Sequence, residues 1–306
     1  YLGAGLDAEA AKAAAQEYWG YGLTISSLVI AVLAPILGAV ADSTGRRLIW
    51  VWLFSICYVV GAYGLWWVAP GGDAGMLAWA VLFFGVGFIG MEFATIFTNA
   101  LMPTLSDHDE IGGISGNGFA FGYLGGLLAL IVMLLFFAES ATTGKTLLGL
   151  DPLFGLDAEA REGTRAVGPF SAIWYAVFMV PFFLWVKEPR TAARPLQIGA
   201  ALASLSELLA SLRFRRSLSA YLASSLFYRD ALNALYAFGG VYAYNVLEWE
   251  TIQIGVFGIL GAVTAMVAAF IGGGLDKRLG PKPVIGGSIV VLILVCLVIV
   301  GMTRES

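Results

Sequence analysis

The feature that constrains this chain most is a long, nearly uncharged apolar run, and it occurs eight times. The runs fall at about 21–41, 48–69, 76–102, 116–138, 169–187, 217–246, 251–275 and 283–302. A helix needs roughly 20 apolar residues to cross about 30 Å of hydrocarbon. Hydrocarbon offers no partner to a backbone N–H or C=O, so a spanning segment must be a helix or part of a closed barrel. The residue-by-residue alternation of barrel strands is absent. The sequence therefore predicts an all-α polytopic membrane protein. Charge agrees: Asp, Glu, Lys and Arg make up 12% of the 306 residues, against about a quarter in soluble domains.

Several chemistries lack material. The two cysteines, Cys57 and Cys296, both lie inside apolar runs and read as small buried hydrophobes. The single histidine, His108, sits in a connection, which leaves almost nothing for a metal centre or for histidine catalysis. No cofactor, metal or nucleic-acid partner is expected. "TGKT" (143–146) suggests a phosphate loop, but the glycine required five residues before Gly144 is Glu139. No paired acid and base at one depth suggests an enzyme.

The connections give an orientation. Segments 42–47, 187–216 and 276–282 hold Arg46, Arg47, Lys187, Arg190, Arg194, Arg213, Arg215, Arg216, Lys277, Arg278 and Lys282, which are 11 of the 17 basic residues. If the eight spans alternate, all three segments lie on one side, cytoplasmic by the positive-inside rule. "SDHDEIGG" (106–113) falls on that side although acidic, and acids count little in the rule. Residues 139–168 form an outer loop. Residues 188–215 are a central linker in which "LSELLASLRF" has helical spacing suited to the inner interface. Trp50, Trp66, Trp67 and Trp174 lie near span ends as interfacial anchors. Tyr1 is not a methionine and "GMTRES" closes just past an apolar run, so a longer reading frame is expected at both ends.

The turn "GAVADSTGRR" has an echo six spans later in "GGGLDKRLGPK". Both close an apolar run and carry a glycine, then an acid, a second glycine and a base. Two such copies suggest two repeat-related halves. The first copy resembles the loop signature between helices 2 and 3 of the major facilitator superfamily, at Gly38, Asp42, Gly45, Arg46 and Arg47. The second resembles the equivalent loop between helices 8 and 9, at Asp276, Lys277, Arg278 and Gly280. It departs in one respect: aligned on Gly280, the acid position holds Lys277 and Asp276 is displaced by one. "FTNALMPTL", "EIGGISGNGFAFGYLGGLLAL" and "YRDALNALYAFGGVYA" resemble the vacuole-effluxer-like branch, whose eukaryotic members are associated with amino-acid efflux. The resemblance implies two pseudo-symmetric six-helix halves with eight of twelve helices present. These would be 1–187 (the family's helices 2–6), the linker 188–216, and 217–306 (helices 7–9).

Candidate site residues follow from charge and depth. An ionised group at mid-membrane costs on the order of 3 kcal/mol, so it faces a cavity or a partner. Asp230 lies about 20 Å from the inner start of its run and Glu92 about 15 Å from the inner end of its own. Asn233 is one turn from Asp230 on the same face, and Arg229 is about 100° away. Asp230, Glu92, Arg229, Asn233, Tyr228, Asn99 and Asn117 are the candidates for solute binding or proton coupling. The resemblance implies a conformational latch in the two loop signatures. Gly118, Gly122, Gly125 and Gly126 form a small-residue stripe for helix packing, resembling an antiporter signature with Tyr123 where that has a proline.

The expectation is a secondary active transporter, working by alternating access on a small polar solute. Amino-acid efflux coupled to protons is the specific form expected, for a monomer in the lipid bilayer of a bacterial inner membrane. The rival is a transport-inactive sensor or scaffold on the same fold.

Overall fold

The computed structural model describes residues 8–71, 74–105, 110–140, 142–188, 198–245, 247–249 and 251–301. Among these, all regular structure is helical: α1 (Ala8–Thr44), α2 (Arg47–Gly64), α3 (Ala74–Leu105), α4 (Ile111–Phe136), α5 (Glu162–Arg165), α6 (Val167–Trp185), α7 (Ile198–Ser211), α8 (Arg216–Asn245), α9 (Thr251–Leu279) and α10 (Pro281–Gly301). His108, Arg190 and Arg194 lie outside the described residues. α1 begins well before the apolar run at 21, because the preceding "AEAAKAAAQ" is built from strong helix formers.

Among the described residues, seven helices are long and apolar enough to cross a bilayer: Gln16–Thr44, Arg47–Trp67, Gly75–Leu105, Ile111–Phe136, Glu162–Trp185, Val256–Leu279 and Pro281–Gly301. The sequence predicts eight spans. The eighth run is α8, 30 residues long, which has the length but not the apolarity. Arg229, Asp230, Asn233 and several Ser and Tyr residues dilute it.

The chain forms two compact units. One comprises Tyr1–Leu105 with Ala129–Leu202, the other Ser106–Leu128 with Ala203–Ser306. The boundary runs through α4, so residues 106–128 group with the second unit.

The first unit is built on α2, α3 and α6. Between two helices in lipid there is no hydrophobic drive, so contact depends on close packing and on polar pairs. Glycines allow that contact here. A Cβ on Gly61 would overlap the backbone of Gly87, and one on Gly90 would stand 2.5 Å from the backbone nitrogen of Tyr58. Toward the basic end of the same interface the core is aromatic. Phe54 stacks on Phe93 with ring centroids 4.6 Å apart, Trp50 stacks on Phe97 at 5.8 Å, and Val51 and Leu101 are fully buried beside them. The hydroxyls of Ser55 and Tyr175 meet at 2.8 Å and tie α2 to α6. Trp50, expected as an interfacial anchor, is partly buried and packs against this core; Trp67 is 65% exposed.

In the second unit, α4 and α9 cross at glycines the stripe reading did not select. A Cβ on Gly116 would lie 2.7 Å from Gly273 Cα and 3.0 Å from the Ala269 carbonyl oxygen. Gly118, Gly122, Gly125 and Gly126 have nothing within 4 Å of that position. The expected stripe is therefore open, and the close contact lies one face round the helix, at Gly112 and Gly116.

This separates two groups of glycines. Gly61→Val and Gly116→Val force backbones apart and should each lower stability by about 1–3 kcal/mol, as overpacking does. Gly118→Ala and Gly122→Ala should change it by less than about 1 kcal/mol, since no neighbour stands in the way. Thermal unfolding of the purified protein in detergent reads both. Equal losses in the two groups would refute the assignment of the α4–α9 crossing.

Candidate functional site

The first loop signature closes on itself. Gly45 has φ 61° and its N–H bonds the Ala41 carbonyl at 3.1 Å, ending α1 in the left-handed conformation that glycine favours. The turn places Arg47 beside Asp42. Arg47 Nη2 and Nε donate to Asp42 Oδ1 at 2.8 and 3.2 Å. Asp42 is 65% exposed, so the pair itself contributes about 0.2–1 kcal/mol. The third donor counts structurally: Arg47 Nη1 reaches the carbonyl of Ala100, near the end of α3, at 3.1 Å.

The backbone of the same residues receives a further carboxylate. The N–H groups of Arg47 and Leu48 donate to Glu188 Oε1 and Oε2 at 2.8 and 3.0 Å. These are donors of the first turn of α2, which no helix carbonyl can satisfy. A carboxylate there also opposes the positive end of the helix dipole. Glu188 follows α6, so one knot joins the ends of α1, α3 and α6 to the start of α2. Residue order gave no sign of Glu188, because its partners lie 140 and 141 positions away. At Gly38 nothing approaches within 4 Å of a would-be Cβ. Arg46 directly precedes α2 and makes no side-chain cap.

The second copy has the same turn and a different chemistry. Gly280 has φ 79° and its N–H bonds the Asp276 carbonyl at 2.9 Å. Counting from the two glycines, Asp42 corresponds to Lys277 and Arg47 to Lys282. Two cations stand where the first copy has an ion pair, so this loop cannot close on itself. Asp276 points elsewhere. Its carboxylate fills the position that a Cβ on Gly112 would take, against the first turn of α4. Lys277 and Arg278 are exposed.

Each unit carries a polar stripe on an open helix face. On α3, Glu92 and Asn99 are seven residues apart, two turns along one face; Glu92 is half-buried and Asn99 exposed. On α8, Arg229, Asn233 and Tyr236 follow at i, i+4 and i+7, again one face, with Asp230 beside Arg229. The hydroxyl of Tyr228 interacts with the side chains of Ser225 and Arg229. Among the described residues no ion pair includes Glu92, Arg229 or Asp230. Asn117 is exposed on α4 beside the Gly116 crossing.

At the opposite ends of the helices, the connection between α4 and α6 is held by side-chain contacts. Glu139 is fully buried and accepts from the Thr164 N–H at 2.9 Å, the Thr164 hydroxyl at 2.7 Å and Arg161 Nε at 3.1 Å. Arg165 donates to the Trp66 carbonyl and stacks 5.0 Å over its ring. In "TGKT", Lys145 pairs with Asp151 at 2.5 Å and Gly144 makes a left-handed turn. Its cation is engaged by that carboxylate. The described residues hold no cluster able to take a metal ion.

Glu188 yields a prediction. Glu188→Ala leaves two helix-end donors unmade and removes charge-assisted bonds of about 1.5–3 kcal/mol each. Asp42→Asn disturbs only an exposed pair. The expected order of thermal destabilisation is Glu188→Ala well above Asp42→Asn; the reverse order would show that the ion pair and not the helix cap carries the knot.

No solved structure matches the chain. YxiO of Bacillus subtilis (strain 168), named as an uncharacterized MFS-type transporter, is 24% identical over 304 residues, covering 94% of this chain. The chain spans 64% of that relative's length. The family model described as "Vacuole effluxer Atg22 like" matches residues 11–303. This all-helical membrane chain belongs to the vacuole effluxer Atg22-like family, within the major facilitator type of transporter fold.

Proposed function

We propose that the protein is a secondary active transporter that exports a small polar solute, an amino acid being the specific class, by alternating access coupled to protons. The relative's name and the family description support transport and not enzymatic turnover. The observation that carries the solute class lies on α8. Arg229 and Asp230 are opposite charges at adjacent positions, deep in a helix of an apolar chain, and neither has a described ionic partner. A side-by-side cation and anion about 100° apart on one helix cannot both face one static counter-ion. They complement a zwitterion, with the solute carboxylate on Arg229 and its ammonium on Asp230, and Asn233 one turn further along as a neutral hydrogen-bonding group.

A carboxylate that binds an ammonium group also takes a proton when the solute leaves, which couples the two fluxes. Asp230 and Glu92 are the groups assigned this exchange, with Tyr228, Asn99 and Asn117 as polar lining. The loop signatures act as the conformational latch, and the locked first turn and unlocked second one make its two copies unequal. The protein functions as a monomer in a bacterial cytoplasmic membrane, with the basic ends of its helices inside.

Asp230→Asn in reconstituted vesicles tests the coupling. The expected result is loss of the pH-dependent component of flux with thermal stability kept. Flux with an unchanged pH dependence removes Asp230 from the mechanism. Stabilisation of the purified protein by amino acids, lost in Arg229→Gln, separates a transporter from a scaffold.

A further inference from the structure

The connection between α4 and α6 has no role in the reading above, yet it carries an apolar surface unusual for a loop. Leu147, Leu148, Leu150 and Leu153 are exposed, and Phe154 is 85% exposed. We propose that residues 145–156 form an interfacial foot, a folded loop and not a span. Its leucines and Phe154 are immersed in the headgroup–acyl boundary of the leaflet at this end of the helices. The partner is the lipid surface, met through apolar contact and not through charge. This inference does not depend on the transport reading.

Three observations support immersion. The first is depth. The Leu147 N–H donates to the Leu134 carbonyl at 3.1 Å. Leu134 lies in the last turn of α4, where helix carbonyls are left without an amide. The loop therefore turns back to the level of a spanning helix and does not stand off into water. The second is shape. The Gly149 N–H bonds the Thr146 carbonyl at 2.8 Å, and Gly149 has φ 73°. This closes a tight turn whose two central residues are Leu147 and Leu148. Turns that meet water favour Gly, Pro, Asn, Asp and Ser; this one presents two leucines. The third is continuity. The Phe154 ring lies 6.0 Å from that of Phe137, which lies 5.8 Å from Phe170. Phe170 then meets Trp174 at 5.4 Å, and Trp174 meets Phe178 at 5.0 Å. This aromatic ladder runs from the loop onto α6, where Ile173, Val177 and Phe178 are exposed. The apolar patch thus continues the open face of a helix that crosses the bilayer.

Charge and backbone agree. Lys145 pairs with Asp151, and Arg161 with the buried Glu139, so the leucines stand on a braced frame. Residues 139–166 hold five acids and three bases. The loop therefore lacks the cationic excess that draws a segment to anionic lipid, and its attraction comes from apolar area. Phe154 has φ 63°, a backbone conformation that disfavours a bulky side chain. Immersion gives this ring the apolar surroundings that the fold leaves open. Interfacial depth also suits the loop backbone, because water and headgroups at that level can bond polar groups that hydrocarbon would leave unpaired.

The test reads depth, not flux. In the full chain carrying Cys57→Ser and Cys296→Ser, a nitroxide is attached through Leu148→Cys or Phe154→Cys. Glu159→Cys, at an exposed acid of the same connection, is the aqueous reference. Leu148→Cys keeps the test in hand should Phe154→Cys fail to fold. After reconstitution in phosphatidylcholine vesicles, spin relaxation by oxygen and by a water-soluble nickel chelate is compared. The labels replacing Leu148 and Phe154 should lie about 5–10 Å into the headgroup–acyl boundary, relaxed by oxygen more than by nickel. The label replacing Glu159 should show the reverse. Adding phosphatidylglycerol should leave these depths unchanged. Leu147→Asp should move the label replacing Phe154 toward water and raise its nickel relaxation several-fold. Labels at Leu148 and Phe154 as open to nickel as the one at Glu159 overturn the foot. Labels closed to both reagents mean that a protein surface covers the patch, which overturns it equally. Immersion that requires phosphatidylglycerol overturns its apolar basis.

Discussion

Everything in this chain follows from the absence of water around its middle. A backbone amide in hydrocarbon has no partner unless the chain supplies one, so each crossing segment forms a helix that satisfies itself. Once that is done, apolar side chains are as content against lipid as against another helix. Large exposed residues such as Val300 and Trp185 are consistent with this and need no special account. What brings helices together has to be shape and the few polar groups that hydrocarbon cannot solvate.

The structure uses both at defined places. Shape acts where glycines let backbones touch, at Gly61 and Gly90 between α2 and α3 and at Gly116 and Gly273 between α4 and α9. Polar groups act at helix ends, where hydrogen-bonding capacity is left over. Glu188 meets the start of α2, Asp276 packs against the start of α4, and Glu139 is buried beside Thr164. The three acids have a common logic: a carboxylate from a distant segment sits beside free amide groups or the turn that bears them. Such contacts fix helix ends firmly while leaving the middles free of charge, except on α3 and α8. Those exceptions carry Glu92, Arg229 and Asp230, and they gain meaning because the rest of the interior avoids ionised groups.

Much of this was legible in residue order. The apolar runs predicted helices over most of their observed lengths, and the doubled turn pointed to equivalent places in the chain, where the structure has Gly45 and Gly280 both left-handed. The register offset of Asp276 was also visible, and the structure gives it a use against Gly112. Other features were not legible. The run at 217–246 reads as a span by length, yet its helix is too polar to qualify with the other seven. The glycine stripe from Gly118 to Gly126 has the periodicity of a packing face, but Gly112 and Gly116 make the contact. Periodicity shows which residues share a face; it does not show which face meets a neighbour.

The sequence alone determined that the chain is helical and membrane-spanning, which end of each helix is basic, and where charge enters the apolar interior. These are local or additive properties, set by the solvent each segment can tolerate. Only the tertiary structure decided that Glu188 receives the first amides of α2, that the Asp42 loop closes on its own arginine, and that Tyr123 meets Tyr236. The Glu188 and tyrosine contacts depend on the crossing of helices remote in sequence, and the Asp42 pair on the exact geometry of one turn; both are set by close steric fit, which residue order records only as a set of candidates.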